Sequence, residues 1–518
     1  MPRYAAIDIG SNSVRMLAAE LEPGTPPRAA VPLRVLAEDR QVTRLGEGVF
    51  RNGTIDDAAM ALTLATLERM NASIRAQNVM AVRAVATSAV RDAGNQALFL
   101  ERAAAVLGQS VEIISGQEEA RLIHLGVESR WPHPYERLLI VDIGGGSAEV
   151  IEAERGRLRR AFSRPLGAVR LQQVFLREDP PRPDSLQRME EFIEEKLAVA
   201  VAKIGAAHAP FDRAIGTAAS ASAVVCAANL IARSGREAAD RKRVSTAQLR
   251  RLYRDLAGLN LAQRRKVTGL GYRRAEIIVP GVAVLLRTLE SFGLKSLYYC
   301  AAGVRDGIVR DLAERGVGRE RARLDREQRT LVEQFAKRFG VDLPHARHVA
   351  GSAMELFDAL QPLHELPPDA GRLLEASAYL RDVGHAISDT GHHKHSLYIV
   401  VNADLGGFTG LERLMVALLC RYHRKSMPQA RHAEFMILGA EQRRTISLLA
   451  PLLRIADALD RSRDQRIERI DCAIQGAAVT LGWSAEGDTG LEKWAVEGAA
   501  AAFGQVYERA LNVLGSAA

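Results

Sequence analysis

Val141-Asp142-Ile143-Gly144-Gly145-Gly146-Ser147 decides the reading of this chain, because the chain carries the pattern twice. Near the start it reads Ala6-Ile7-Asp8-Ile9-Gly10-Ser11-Asn12-Ser13. Each copy is an apolar run, an Asp, a Gly/Ser turn, and a return of β-favouring residues at 14–17 or 148–151. That pattern predicts a hairpin whose small turn residues let backbone N–H groups approach a phosphate. The Asp at each strand end is placed to hold a metal or a metal-bound water. Two such loops facing each other would form a cleft for a phosphorylated substrate.

Working outward from the first copy, residues 4–20 read as the hairpin and 31–43 as a further strand. Helical spacing covers 54–77 (Ala58, Leu62, Ala65, Met70, Ile74). Strands at 79–86 and 111–114 follow, each leading into a helix, the second running from Glu118 to about Glu128. After the second copy come a strand at 157–165, a long helix at 186–206, and a strand at 213–217 that opens a helix at Ala218. A basic helical stretch fills 241–274, and a strand at 296–300 precedes a last helix. Strands alternating with helices are α/β logic. Further turns of small and hydroxyl residues between strand and helix, Thr87-Ser88-Ala89, Gly216-Thr217-Ala218 and Ala302-Gly303, suit anion binding at a helix N-terminus.

At 518 residues the chain is too long for one core. A 47% hydrophobic and 25% charged composition is that of a soluble globular protein. Aromatics at 5% argue against stacking platforms for single-stranded nucleic acid. Seventy Lys and Arg against 62 Asp and Glu leave +8, compatible with a polyanionic ligand. Cys226, Cys300, Cys420 and Cys472 form no CxxC pair and predict reduced thiols. No run approaches a membrane span and no leader is evident, so a cytoplasmic protein without membrane association is expected.

Together, the loop with Asp8 and Arg15, Ile114-Ser115-Gly116-Gln117-Glu118-Glu119-Ala120-Arg121-Leu122, the loop with Asp142 and Glu149, and Gly216-Thr217-Ala218 resemble the exopolyphosphatase/guanosine pentaphosphate phosphohydrolase family, within the actin-like phosphotransferase superfamily. The resemblance covers residues 4 to about 310. It implies two actin-like (ribonuclease H-like) α/β domains, 1–128 and 129–311, with a cleft between them. An all-α HD-like domain (312–470) and a small α+β appendage (471–518) would follow. Spacing alone leaves Glu118 and Glu119 equal as the carboxylate that deprotonates a water; the resemblance implies Glu119. It further implies that Asp142 and Glu149, with Glu119, handle Mg2+ and water. Carboxylates with waters and phosphate oxygens suit that ion. Phosphate contacts fall on Gly10, Ser11, Asn12, Ser13, Arg15, Ser88, Gly144, Gly145, Gly146, Ser147, Gly216, Thr217 and Arg305. Arg91 either clamps a phosphate bidentately or is a solvated Arg at a helix start. Because Arg15 stands where Glu149 stands in the repeat, one half would bind and the other would also activate water. A homodimer is implied as well.

From 312 the texture turns helical, and nine of the twelve histidines lie there: His345, His348, His364, His385, His392, His393, His395, His423 and His432. His348, Arg381-Asp382, His423 and Asp457 run in an order similar to an HD phosphohydrolase site, which binds metal through His, a His-Asp pair and a distal Asp. Arg381 replaces the His of the pair, and a guanidinium has no lone pair for a metal. Lys394, Arg421, Arg424, Lys425, Arg461 and Arg463 suit a phosphate chain instead. Residues 473–481 and 494–496 read as a strand pair, and 499–514 as a closing helix. The basic stretch at 241–274 is either a solvated face or a contact for polyanion; nucleic-acid motifs are absent.

The function this supports is an exopolyphosphatase, releasing terminal orthophosphate from inorganic polyphosphate with Mg2+ and Glu119. The alternatives are a guanosine pentaphosphate (pppGpp) 5'-phosphohydrolase, an actin-like ATPase, or a regulatory protein that binds polyphosphate or alarmone without turnover. A long basic groove would favour polyphosphate, and a purine pocket would favour the nucleotide.

Overall fold

The repeated hairpin builds the same topology twice. In the computed structural model, residues 2–21, 33–205, 210–232, 237–315, 323–324, 326–403 and 405–516 are described. The chain divides into two units, Met1–Val317 and Gly318–Ala518. In the first unit, strands β1 (Arg3–Ile9), β2 (Ser13–Glu20), β3 (Arg34–Val42), β4 (Ala81–Ala86) and β5 (Glu112–Ile113) form a sheet in the order β3-β2-β1-β4-β5. Strands β6 (Arg137–Ile143), β7 (Ala148–Glu154), β8 (Arg157–Arg164), β9 (Arg213–Thr217), β10 (Arg243–Ser245) and β11 (Ser296–Tyr299) form a second, ordered β10-β11-β9-β6-β7-β8. Each begins with an antiparallel three-strand meander and continues with parallel strands beside its first member. β10 is an addition to the repeat. It lies inside the stretch expected to be helical throughout, because three residues carry too little periodicity to register. Residues 31 and 32 of the expected third strand, and 206 of the long helix, lie outside the described residues.

Two helices join the sheets. Helix Gly116–Arg130 turns Leu122 toward Tyr4 and Ala6 of β1. Its Ala120, Ile123 and Val127 pack against Leu138, Ile140 and Ile151 of the second sheet. Helix Val304–Arg315 follows the second sheet in sequence, yet Ile308, Val309 and Leu312 belong to the core of the first. A division at 311 therefore cuts through a helix. The two helices cross closely, since a Cβ on Gly307 would overlap the backbone of Leu122 and one on Gly126 that of Gly303.

Buried ion pairs lock this crossing. Arg83 on β4 donates to Glu112 at 3.1 Å, Glu118 at 3.0 Å and Asp311 at 3.0 Å. Arg121 donates to Glu118 at 2.8 Å and to Asp311 at 2.7 Å. Three arginines of the basic stretch are likewise paired: Arg250 meets Glu290 at 2.6 Å, Arg265 meets Glu276 at 3.0 Å, and Arg264 pairs with Asp179.

The second unit packs helices Leu343–Ala359, Asp369–Leu380, His392–Val401, Gly410–Tyr422 and Ala440–Ala458 around one apolar core. It ends in β12 (Ile467–Gln475), β13 (Ala478–Ala485), helix Gly490–Tyr507 and β14 (Ala510–Ser516), with sheet order β12-β13-β14. Residues 494–496, expected as a strand, are helical, and the chain closes on a strand where a helix was expected. Short Trp- and Val-containing runs do not distinguish the two periods. Trp483 and Phe503 share the core of the helices, so this segment is not a separate appendage. Among the described residues, no helix is long and apolar enough to cross a membrane.

Removing one member of the buried network leaves the opposite charges uncompensated. Asp311→Asn is expected to lower the stability of the first unit by about 3–5 kcal/mol in urea unfolding. A loss under about 1 kcal/mol would show that the network does not hold the helix crossing.

Candidate active site

The two hairpin loops are built alike. Gly10 N–H donates to Ser13 O at 3.2 Å, and Gly144 N–H donates to Ser147 O at 3.0 Å. Those two amides close turns and are unavailable to a phosphate. In each copy a following helix start takes up the loop carbonyls. Thr43 and Arg44 donate to Asn12 O and Gly46 to Ser11 O, at the start of helix Leu45–Asn52. Ala168 donates to Gly144 O, and Val169 and Arg170 donate to Gly145 O, at the start of helix Ala168–Phe175. With the carbonyls turned to these helices, the remaining loop faces line a cleft. The loops meet closely: Ser11 Oγ lies 3.1 Å from Ser88 Oγ, and a Cβ on Gly146 would overlap Ser88 and Phe50.

Strand register explains the asymmetry between the copies. Asp8 stands opposite Arg15 across β1 and β2, and Asp142 stands opposite Glu149 across β6 and β7. The first pair carries compensated charge and the second carries two acids. Burial raises Asp8, against the opposing pull of Arg15 and Arg305. Burial likewise raises Asp142, opposed by the hydrogen bond from Thr217 Oγ1. Glu149 is pushed up to about 8 by burial and by Asp142, although Ser163 donates to its Oε1 at 2.8 Å.

Helix Gly116–Arg130 supplies the remaining acid. Ser115 caps it, accepting from Glu118 N–H at 3.1 Å. The helix turns neighbouring side chains about 100° apart, and that separates the two glutamates left equal by spacing. Glu118 is turned into the ion network, where Arg121 and Arg83 overcome burial and hold its carboxyl below the usual range. Glu119 faces the cleft, raised well above the usual range by burial, then Glu149.

Asp8, Gly10 to Ser13, Arg15, Ser88, Glu119, Asp142, Gly144 to Ser147 and Arg305 all border the cleft. Arg305 is braced by Met16 O at 2.9 Å and Glu38 at 2.9 Å. Four expected residues act from behind. Glu149 lies beneath the surface. Thr217 fixes Asp142, and Gly216 packs under Ala221 and Leu297. Arg91 donates to Ile114 O at 2.8 Å and acts on Glu119 and Glu149 through its charge. Arg40 and Asp306 also border the cleft without having been legible in the sequence, and so does Arg274, the end of the basic stretch. Arg40 follows no turn motif and reaches the cleft only because β3 pairs with β2, Arg15 lying opposite Arg40.

The donor set fits a hard divalent cation. Glu119 Oε2 and Glu149 Oε2 are buried oxygens without a hydrogen-bond partner. Such orphaned acceptors are costly unless a cation or proton meets them. The carboxylates do not converge into a three-ligand cage: among the described residues, such groups with ligand atoms within 4.8 Å of one another occur only in the second unit. That favours an ion keeping much of its water, as Mg2+ does.

In the second unit, Arg381, which stands in place of the His of the HD-like pair, is fully buried. Its Nε donates to Asp457 at 2.5 Å, and Nη2 donates to His345 Nε2. His345 Nδ1 in turn lies 2.7 Å from Asp460. The histidine at this place is His345, not His348, which does not border the cavity. The HD-like order fits either residue, and only the helix phase selects the first. Beside Arg381 lie Asp382, His385, His392 and His423. Burial and the neighbouring imidazoles depress His392 to about 4. Lys394 and Lys425 do not border this cavity; Arg424, Arg461 and Arg463 do.

A cleft of paired Gly/Ser loops, buried carboxylates and arginines on a duplicated α/β frame defines a hydrolase of phosphoanhydrides. The chain belongs to the Ppx/GppA phosphatase family, whose model matches residues 27–316, and the model of that family's domain III matches residues 327–486. It is 29% identical over 494 residues to the guanosine-5'-triphosphate,3'-diphosphate pyrophosphatase of Aeromonas hydrophila, covering 93% of each chain. With the protein of that name from Photobacterium profundum it shares 26% identity over 466 residues, covering 89% of this chain and 88% of the relative. The structure of the Aquifex aeolicus PPX-GPPA enzyme is 28% identical, with a TM-score of 0.51, covering 60% of this chain and 99% of that one.

Glu149 sets a pH dependence with a definite sign. Its folded-state pKa of about 8 lies above the ordinary 4.5, so the native state holds a proton that the unfolded chain has released. Stability from this group is complete below the lower value and is lost as pH rises through the upper one. In chelator, the melting temperature of the wild type is expected to fall more between about pH 5 and about pH 8.5 than that of Glu149→Gln. Parallel curves would contradict the assignment.

Proposed function

We propose that this chain hydrolyses the terminal phosphoanhydride of pppGpp, releasing orthophosphate and leaving ppGpp. The observation that carries the nucleotide over polyphosphate is a second cavity continuous with the cleft, sharing Asn12, Arg40, Ala219 and Arg274 with it. Its other walls include Val42, Ala223, Cys226, Tyr272 and Arg273. A polyphosphate chain has no apolar part to place there. A guanosine 3'-diphosphate has a base for Tyr272 and the apolar wall and phosphates for the arginines. Tyr272 is 60% exposed, and the Arg265 guanidinium lies 3.7 Å from its ring centre, bracing it from one side. The naming of the two full-length relatives agrees with this choice.

In this reading the loops, Arg15 and Arg305 hold the terminal phosphoryl group, and Glu119 accepts the proton of the attacking water. The water oxygen bonds to the terminal phosphorus as the bond to the bridging oxygen breaks. Mg2+, held by Asp142 and Glu119 with Glu149 behind them, would neutralise phosphate oxygens and lower the cost of ionising these acids. The raised pKa of Glu119 makes it a stronger base once ionised. Arg91 keeps that carboxylate ionisable from behind. The helical unit would be HD-like in fold, with Arg381 in place of the metal at the paired position.

Glu119→Gln is expected to lower kcat on pppGpp by about 10²–10⁴-fold with little change in KM. Near-wild-type turnover would remove Glu119 as the base. Tyr272→Ala is expected to raise KM for pppGpp about tenfold while leaving phosphate release from polyphosphate unchanged. Equal effects on both substrates, or turnover of polyphosphate alone, would return the assignment to an exopolyphosphatase.

A further inference from the structure

The cavity of the helical unit holds side chains that phosphoanhydride hydrolysis does not use. Its hydrogen bonds fix where the imidazole protons sit. His385 Nδ1 lies 2.6 Å from Asp389 Oδ1, His392 Nδ1 lies 3.2 Å from Asp389 O, and His423 Nδ1 lies 2.6 Å from Cys420 O. Each partner is an acceptor, so each Nδ1 carries the proton and each Nε2 presents a lone pair. These nitrogens lie close to one carboxylate oxygen, the rings of His385 and His392 being stacked with centroids 3.8 Å apart. His385 Nε2 and His392 Nε2 lie 3.7 Å and 3.8 Å from Asp382 Oδ1. His392 Nε2 faces His423 Nε2 at 3.3 Å. Two lone pairs meeting at that distance repel unless a cation lies between them.

We infer that Asp382, His385 and His392, whose ligand atoms lie within 4.8 Å of one another, bind a divalent transition metal, with His423 against His392, at a site distinct from the position filled by Arg381. The support is of the kind that orients metal-bound imidazoles: a carboxylate or a backbone carbonyl behind each ring. Two imidazoles and one carboxylate, with a fourth position open, select Zn2+, Co2+ or Mn2+ over Mg2+. Arg381 donates to His345, Asp457 and Ala378 O and lies 3.5 Å from Asp382 Oδ2, which leaves Oδ1 as the oxygen turned to the imidazoles. Arg424 Nη1 makes only a long, shared approach of 3.5 Å to both ring nitrogens of His392. Arg424, Arg461 and Arg463 border the same cavity, so the metal's open side faces cations and takes a phosphate-bearing ligand.

The test uses the full-length chain, stripped with chelator and titrated with Zn2+ or Co2+ alone. About one equivalent is expected to survive dialysis, and bound Co2+ should show the intense visible bands of a tetrahedral site. Glu119→Gln should bind equally, which separates this site from the hydrolytic cleft. His392→Ala should weaken binding at least 100-fold, and Asp389→Asn by about 10- to 100-fold. His385 is half-exposed, so His385→Asn should weaken binding about tenfold while the metal-free protein melts as wild type. Inorganic phosphate should shift the Co2+ spectrum of the wild type. The inference is overturned if no stoichiometric metal is retained, or if the histidine variants retain it as tightly as wild type. A spectrum indifferent to phosphate overturns the open, anion-facing position.

Discussion

The buried pairing of Glu118 with Arg83 and Arg121 is the constraint on which the hydrolytic cleft depends. It ties the first turn of one joining helix to β4 and, through Asp311, to the other joining helix. Buried ion pairs of this kind add little net stability, because desolvation offsets most of their attraction. Their effect is geometric. With Glu118 committed, the helix has one permitted rotation, and the next residue, Glu119, must face the space between the loops. Gly307 and Gly126 serve the same end by letting the two helix backbones approach without side chains between them.

Given that rotation, the duplication does the rest. Both copies supply a strand-end Asp and a Gly/Ser turn whose carbonyls are claimed by a helix start. The difference lies in one cross-strand partner. Arg15 compensates Asp8, whereas Glu149 adds a second acid to Asp142. The acidic half therefore gathers carboxylates raised by burial and by one another. In the proposed reading a cation there would gain from all of them at once, and a phosphate beside it would meet Arg15 and Arg305 from the other half.

The strand-turn-strand copies, the strand-to-helix junction at Glu118-Glu119 and the arginine in the HD-like pair were legible in the sequence because each is a local pattern. So was the asymmetry of the two halves, since cross-strand neighbours follow from counting along a tight hairpin. Helix phase was less accessible. It decides Glu119 over Glu118 and His345 over His348, and it depends on partners far away in sequence: Arg83 and Asp311 for the first, Arg381 and Asp460 for the second. Arg40 and Arg274 were not legible as cleft residues, because strand pairing and folding rather than any motif bring them to the rim. Gly216 was over-read: its lack of a side chain serves packing against Leu297.

Arg381 and the hydrolytic cleft solve one electrostatic problem in two ways. A group of buried acids needs positive charge nearby. The helical unit supplies it with a tethered guanidinium, which holds Asp457 below the usual carboxylate range despite burial. The cleft leaves Glu119 and Glu149 with orphaned oxygens and raised pKa values. A guanidinium as buried and committed as that of Arg381 has no donor left for a substrate oxygen. An exchangeable cation can take one, but the acids that bind it must tolerate its departure by taking up protons. The raised values in the cleft are that tolerance, and their absence at Asp457 marks a position given over to structure.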